Sequence, residues 1–170
     1  MSQKYRPVSA KSLVGFVVGD VSYAVPISAV REIVNPLGLT ELPHAPFVVA
    51  GVADHRGEVL PVIDLRARFG VSEARDERRE KWILVDCGGR TVGLIVDRVT
   101  EVFGTAGEAL RPAPSLGSGD HVRGIVGVTS HDGVLTFVLD VGRFDELTLG
   151  LDPADLQRAA QLPQGSKANT

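Results

Sequence analysis

Val14-Gly-Phe-Val-Val-Gly-Asp-Val-Ser-Tyr-Ala-Val-Pro-Ile-Ser-Ala-Val-Arg-Glu-Ile-Val34 returns, without a gap, as Ile83-Leu-Val-Asp-Cys-Gly-Gly-Arg-Thr-Val-Gly-Leu-Ile-Val-Asp-Arg-Val-Thr-Glu-Val-Phe103. At this offset of 69 positions Gly19 falls on Gly88, Val30 on Val99 and Glu32 on Glu101. Apolar positions agree as well: Phe16 with Val85, Tyr23 with Val92, Val25 with Leu94, Ile27 with Val96, Ile33 with Val102. A second pair follows in the same order. Gly57-Glu-Val-Leu-Pro-Val-Ile-Asp64 answers to Gly133-Val-Leu-Thr-Phe-Val-Leu-Asp140, and Phe69 and Phe144 then close the two units. Two segments recurring in order point to a duplicated fold.

Each copy reads as short strands. Leu13–Val18 and Trp82–Val85 are β-branched, apolar runs that end at turn signals, Gly19-Asp20 and Gly88-Gly89. Val21–Val25 and Thr91–Ile95 return as the second arm of a hairpin. Ser28 and Asp97, equivalent under the shift, are expected to cap one turn of helix before strands Arg31–Val34 and Thr100–Phe103. Asp64 and Asp140 follow apolar strands, and each is expected to cap a short turn over Leu65–Phe69 and Val141–Phe144.

Short strands joined by tight turns at this spacing suggest small closed barrels. The expected architecture is all-β: two small barrels side by side, tandem or interleaved in the chain, sharing an apolar seam over residues 13–147. Residues 1–12 read as a tail. The stretch Ser72–Lys81, with four acidic and four basic residues, reads as a solvated linker between the copies. Within 148–170, Asp152-Pro153-Ala-Asp155 looks like a helix start that Pro163 stops, leaving a disordered end.

Composition narrows the partners. The 170 residues are 44% apolar and 23% charged, with a net charge of −3, and no basic face suited to nucleic acid stands out. The polar start lacks a signal peptide, and no apolar run approaches the ~20 residues of a membrane helix. Cys87 is the single cysteine, so no internal disulfide forms. A cytoplasmic protein without membrane insertion is expected.

A duplicated β protein with an aspartate in each copy raises the aspartic-protease hypothesis. The Thr/Ser-Gly that should follow each aspartate is missing: Asp64 precedes Leu65-Arg66 and Asp140 precedes Val141-Gly142. Capping is the better reading. His44, His55, His121 and His131 show no metal-ligand spacing with each other or with Cys87, and exposed loop positions are expected for all four. Nucleophile-elbow and P-loop signatures are absent, and Cys87 at the end of an apolar strand reads as a buried small hydrophobe. No catalytic residue, metal or cofactor is expected.

Four segments carry a family resemblance. Val49-Ala-Gly51 through Asp54-His55-Arg56-Gly57 to Pro61-Val-Ile-Asp64-Leu65 resembles the CheW signature of chemotaxis coupling proteins, in which Asn-Leu-Arg-Gly leads through an apolar strand to Pro-x-x-Asp-Leu. Val30-Arg-Glu32-Ile33, Val92-Gly-Leu-Ile-Val-Asp97-Arg-Val99 and Arg111-Pro112-Ala-Pro114 are similar to three further family segments. The resemblance runs from about Leu13 to Phe144. It implies two SH3-like five-stranded barrels and an adaptor that joins the cytoplasmic tip of methyl-accepting chemoreceptors to the regulatory domain of a CheA-type histidine kinase. By the same resemblance Arg56, Glu32, Val30, Ile33, Val99 and Val102 are receptor-binding candidates, and Val59, Gly57, Arg111 and Leu116 kinase-binding candidates. The family's Asn-Leu is Asp54-His55 here, so an acid adjoins Arg56 and is expected to neutralise or orient it. Leu116 stands where an aromatic is common.

Overall fold

The computed structural model describes residues 12–72, 76–105, 110–112 and 124–144. Among the described residues ten strands form: β1 Leu13–Val18, β2 Val21–Pro26, β3 Val30–Val34, β4 Val49–His55, β5 Glu58–Asp64, β6 Lys81–Cys87, β7 Arg90–Val96, β8 Arg98–Phe103, β9 Ile125–His131 and β10 Val134–Leu139, of which β4 and β9 were not expected. The same residues hold one helix, α1 Leu65–Phe69, and two 3₁₀ turns, Ile27–Ala29 and Val141–Phe144. The expected C-terminal helix lies outside the described residues.

The repeat is visible strand by strand, but the copies exchange strands. One sheet runs β8-β1-β2-β10-β9 and the other β3-β6-β7-β5-β4. The β1–β2 hairpin therefore joins three strands of the second copy, while β6–β7 joins three of the first. The barrels interleave in the chain instead of following one another. Each sheet contains one parallel pair, β2 with β10 and β5 with β7, where strands of different copies meet.

Side-chain alternation explains why the central strands are apolar on both faces. On β1, Val14, Phe16 and Val18 enter one large cluster, while Leu13 points into a separate one. On β6, Ile83, Val85 and Cys87 join that same large cluster, and Trp82 and Leu84 turn the other way. The large cluster draws on both sheets and is the shared seam; the two smaller ones fill the individual barrels. Inside the barrels, size is exchanged between equivalent positions. Trp82 on β6 lies opposite Val34 on β3, whereas Leu13 on β1 lies opposite Phe103 on β8.

Two capping expectations need correction. Ser28 lies inside its 3₁₀ turn, which begins after Pro26 with no side-chain cap. Asp97 caps nothing, because the chain passes from β7 through this one residue directly into β8. Its carboxylate instead holds the buried Arg66 of α1, with Nε to Oδ1 at 2.6 Å and Nη2 to Oδ2 at 2.9 Å. Oδ2 also accepts the Gly19 amide at 2.7 Å. Asp64 and Asp140 do cap: each accepts the backbone N–H two residues on, from Arg66 and Gly142, both at 3.0 Å. Cys87 is buried as expected, its thiol directed at the Val141 carbonyl, 3.0 Å away.

Candidate functional site

β3 and β4 are the two edge strands of one sheet, and β8 and β9 the two edges of the other. In each barrel a glutamate and a histidine bridge those edges. Glu32 on β3 meets His55 at the end of β4, Oε2 to Nε2 at 3.0 Å. Glu101 on β8 meets His131 at the end of β9, Oε1 to Nε2 at 2.7 Å. Both histidines are half-buried, against the expectation of exposed loop positions; His44 is exposed, and His121 lies outside the described residues. The signal was present in the sequence. Glu32 and Glu101 coincide at the first offset, and each histidine stands two residues before its repeated glycine, Gly57 or Gly133.

Tight turns follow both histidines. Arg56 and Gly57 have φ of 55° and 81°, Asp132 and Gly133 of 48° and 76°. Left-handed backbone at two successive residues is the geometry of a two-residue hairpin turn, and glycine takes the second place without a Cβ penalty. The turn aims Arg56 back at β3, where its guanidinium donates to Glu32 Oε1 at 3.1 Å. Glu32 is thus held by two donors. The hydrogen bond from His55, and after it the charge of Arg56, hold its carboxyl below the ordinary 4.5, against some desolvation. Asp54 does not neutralise Arg56: its Oδ1 accepts the Gly57 amide across the turn at 2.9 Å. Three-quarters of the Arg56 side chain remains exposed.

Strands β3 and β8 carry the apolar candidates. Val30 and Val99 are half-buried and pack against the seam, whereas Ile33 and Val102 are 40% and 56% exposed. The last two are therefore not core. The kinase-side candidates are spread out. Val59 on β5 packs with Leu42 against Val52, and Gly57 is exposed in the hairpin turn. Arg111 lies on the second barrel, its backbone bridged to Val128 of β9 at 3.0 and 2.8 Å. Leu116 lies outside the described residues.

Repeated halves, exchanged strands and polar clusters at the barrel rims define a duplicated β-barrel protein whose edge strands are bridged by polar side chains. The family model described as CheW-like domain matches residues 12–146, and the chain belongs to that family. A chemotaxis protein CheW from Rhizobium meliloti is 37% identical over 115 residues, covering 68% of this chain and 74% of the relative. Protein FrzA of Myxococcus xanthus is 34% identical over 113 residues, 65% of this chain and 71% of its own. Among solved structures, the scaffolding protein TtCheW from Thermoanaerobacter tengcongensis superposes with a TM-score of 0.69 at 28% identity, covering 77% of this chain and 89% of that one.

Proposed function

We propose that this chain is the coupling scaffold of a chemotaxis-like signalling assembly, joining the cytoplasmic tip of a chemoreceptor to the regulatory domain of a CheA-type histidine kinase. One observation carries the receptor side of the reading. An exposed, pre-aimed arginine, Arg56, stands on a glutamate of β3, and β3 and its repeat-equivalent β8 present Ile33 and Val102 to solvent. A receptor tip is a helical hairpin, and apolar anchors beside a charged one suit a helix laid against a groove. The reading contains no catalytic step. Receptor and kinase are bound together in fixed geometry, and a change in the receptor shifts the kinase between states that the scaffold distinguishes.

The reading places the protein in the cytoplasm, recruited to receptor arrays; among the described residues no helix is long and apolar enough to cross a membrane. Similarity to FrzA, and to a PilI protein of Pseudomonas aeruginosa, also fits a second reading, a kinase-binding coupler of a pathway that is not flagellar. Co-sedimentation of the full chain with a receptor-tip hairpin and a kinase regulatory domain tests the proposal. A ternary complex is expected. Binding of neither partner would overturn it, and binding of kinase alone would limit it to a kinase-side coupler.

A further inference from the structure

The two barrel rims repeat one polar arrangement but differ at its turn residue. Each has the edge-bridging glutamate and histidine, and each has a turn residue in left-handed backbone immediately after the histidine. In the first rim that residue is Arg56, and its guanidinium is the cation that the glutamate holds. In the second it is Asp132, whose Oδ2 lies 3.5 Å from His131 Nε2. The second rim therefore sets two carboxylates around an imidazole where the first has one carboxylate and a built-in positive charge. Arg98 lines the cavity beside this cluster.

We propose that Glu101, His131 and Asp132 bind a divalent transition-metal ion, zinc or nickel in character, in the place that the Arg56 guanidinium takes in the other barrel. One donor atom from each residue lies within 4.8 Å of the others. A zinc ion about 2.1 Å from each ligand sets tetrahedral ligand separations of about 3.4 Å. The His131–Asp132 separation meets this as it stands, Glu101, 56% exposed, needs to withdraw from His131 by less than about 1 Å, and the Glu101–Asp132 separation, within 4.8 Å, has to reach the same value. The imidazole makes the set more than a patch of acids. Its ring is stacked on Phe103, centroids 4.0 Å apart and planes 14° from parallel, which fixes where Nε2 points. Imidazole with carboxylates selects zinc, nickel or copper over calcium or magnesium. A cavity of about 270 Å³ beside the cluster, lined by Thr100 and Thr136 as well, leaves room for water on the remaining coordination positions. Such an ion would pin β8 to the β9–β10 turn. β8 also carries Val99 and Val102, so the metal would stiffen one wall of the candidate receptor surface.

Calorimetric titration of the chelator-stripped full chain with zinc, and separately with nickel, tests the site. One equivalent is expected to bind. His131→Ala should weaken binding at least tenfold. Asp132→Arg, a change at an exposed turn position that reproduces the first rim, should abolish it while leaving the thermal midpoint without metal unchanged. His55→Ala should bind as the wild type does. Absence of binding in the wild type, or binding untouched by Asp132→Arg in a folded protein, would overturn the proposal. So would an equal loss in His55→Ala, which would place the metal elsewhere.

Discussion

Arg56 already occupies left-handed backbone, at φ 55°, so replacing it with another non-glycine residue adds little backbone strain. That makes Arg56→Ala a clean test of the side chain. It should cost about 1–3 kcal/mol of receptor-tip binding, the range for a lost charge-assisted contact, with an unchanged melting temperature. Arg56→Lys should rescue only in part, because an ammonium cannot serve Glu32 and a partner with one planar fork. Asp54→Asn should leave binding intact, since the amide oxygen of asparagine can still accept the Gly57 N–H that Asp54 accepts now. Calorimetry with a receptor-tip hairpin reads all three; full affinity in Arg56→Ala would remove the residue from the site. Glu32 carries a pH prediction. Its carboxyl titrates lower in the folded protein than its ordinary 4.5, so the unfolded state binds its proton first as the pH falls. The stabilisation is present above that ordinary value and is lost as pH drops through the depressed one. Melts of wild type and Glu32→Gln should differ at neutral pH and converge in acid; a gap independent of pH would refute the assignment. At this scale the sequence exposed the glutamates and the Arg-Gly pair. The histidines were marked only by their spacing to Gly57 and Gly133, because a residue at the last position of a strand looks like loop until its cross-edge partner is known.

Among the elements, α1 and the β7–β8 junction depend on one buried ion pair. Arg66 and Asp97 have side chains only 8% and 16% exposed. Removing Asp97 takes the bidentate acceptor from a buried guanidinium, so Asp97→Ala should cost about 3–5 kcal/mol in urea unfolding. Asp97→Asn, which can still accept from Gly19, should cost less; equal losses would mean that the Gly19 contact contributes nothing. Asp97 shows why capping logic failed here. An aspartate between an apolar strand and a polar stretch suits a cap, but an arginine 31 positions upstream claims it, and no local pattern reveals a partner that far away. Gly51 illustrates the opposite case, a glycine whose purpose is visible only in the fold. Its φ is 150°, and a Cβ there would stand 2.3 Å from the Thr40 carbonyl, which accepts the Val52 amide at 2.8 Å. Gly51→Ala should break this bridge along β4 and destabilise by on the order of 2–3 kcal/mol, with a lowered melting temperature as the readout.

For the whole molecule, repetition in the sequence revealed two equivalent β units but not which strands would share a sheet. Equivalent edges are chemically alike, so β3 is as well suited by pattern to β1 as to β6, its actual partner. The exchange is decided by burial. It lets one seam take Val14, Phe16 and Val18 from one sheet together with Ile83, Val85 and Cys87 from the other, so neither barrel folds without strands of the other copy. The same exchange sets β3 and β8 as edge strands of different sheets, while Val59 lies on β5, within one of them. From this follows the prediction that receptor and kinase surfaces are separable. Ile33→Asp and Val102→Asp alter exposed positions outside the core, so they should weaken receptor-tip binding, spare kinase binding and leave unfolding unchanged. Val59→Arg should do the reverse for the partners. Because Val59 packs with Leu42 on Val52, some stability should be lost with it, and a melt must accompany the assay. Leu60, its neighbour on the opposite face, is fully buried, so Leu60→Ala supplies the control for a mere folding defect, expected at about 2–5 kcal/mol. If Val59→Arg weakens both partners in proportion to its loss of stability, as Leu60→Ala should, Val59 belongs to the core and the kinase surface lies elsewhere. If it weakens kinase binding beyond that line while receptor binding holds, the two surfaces are distinct and the scaffold can engage both partners at once.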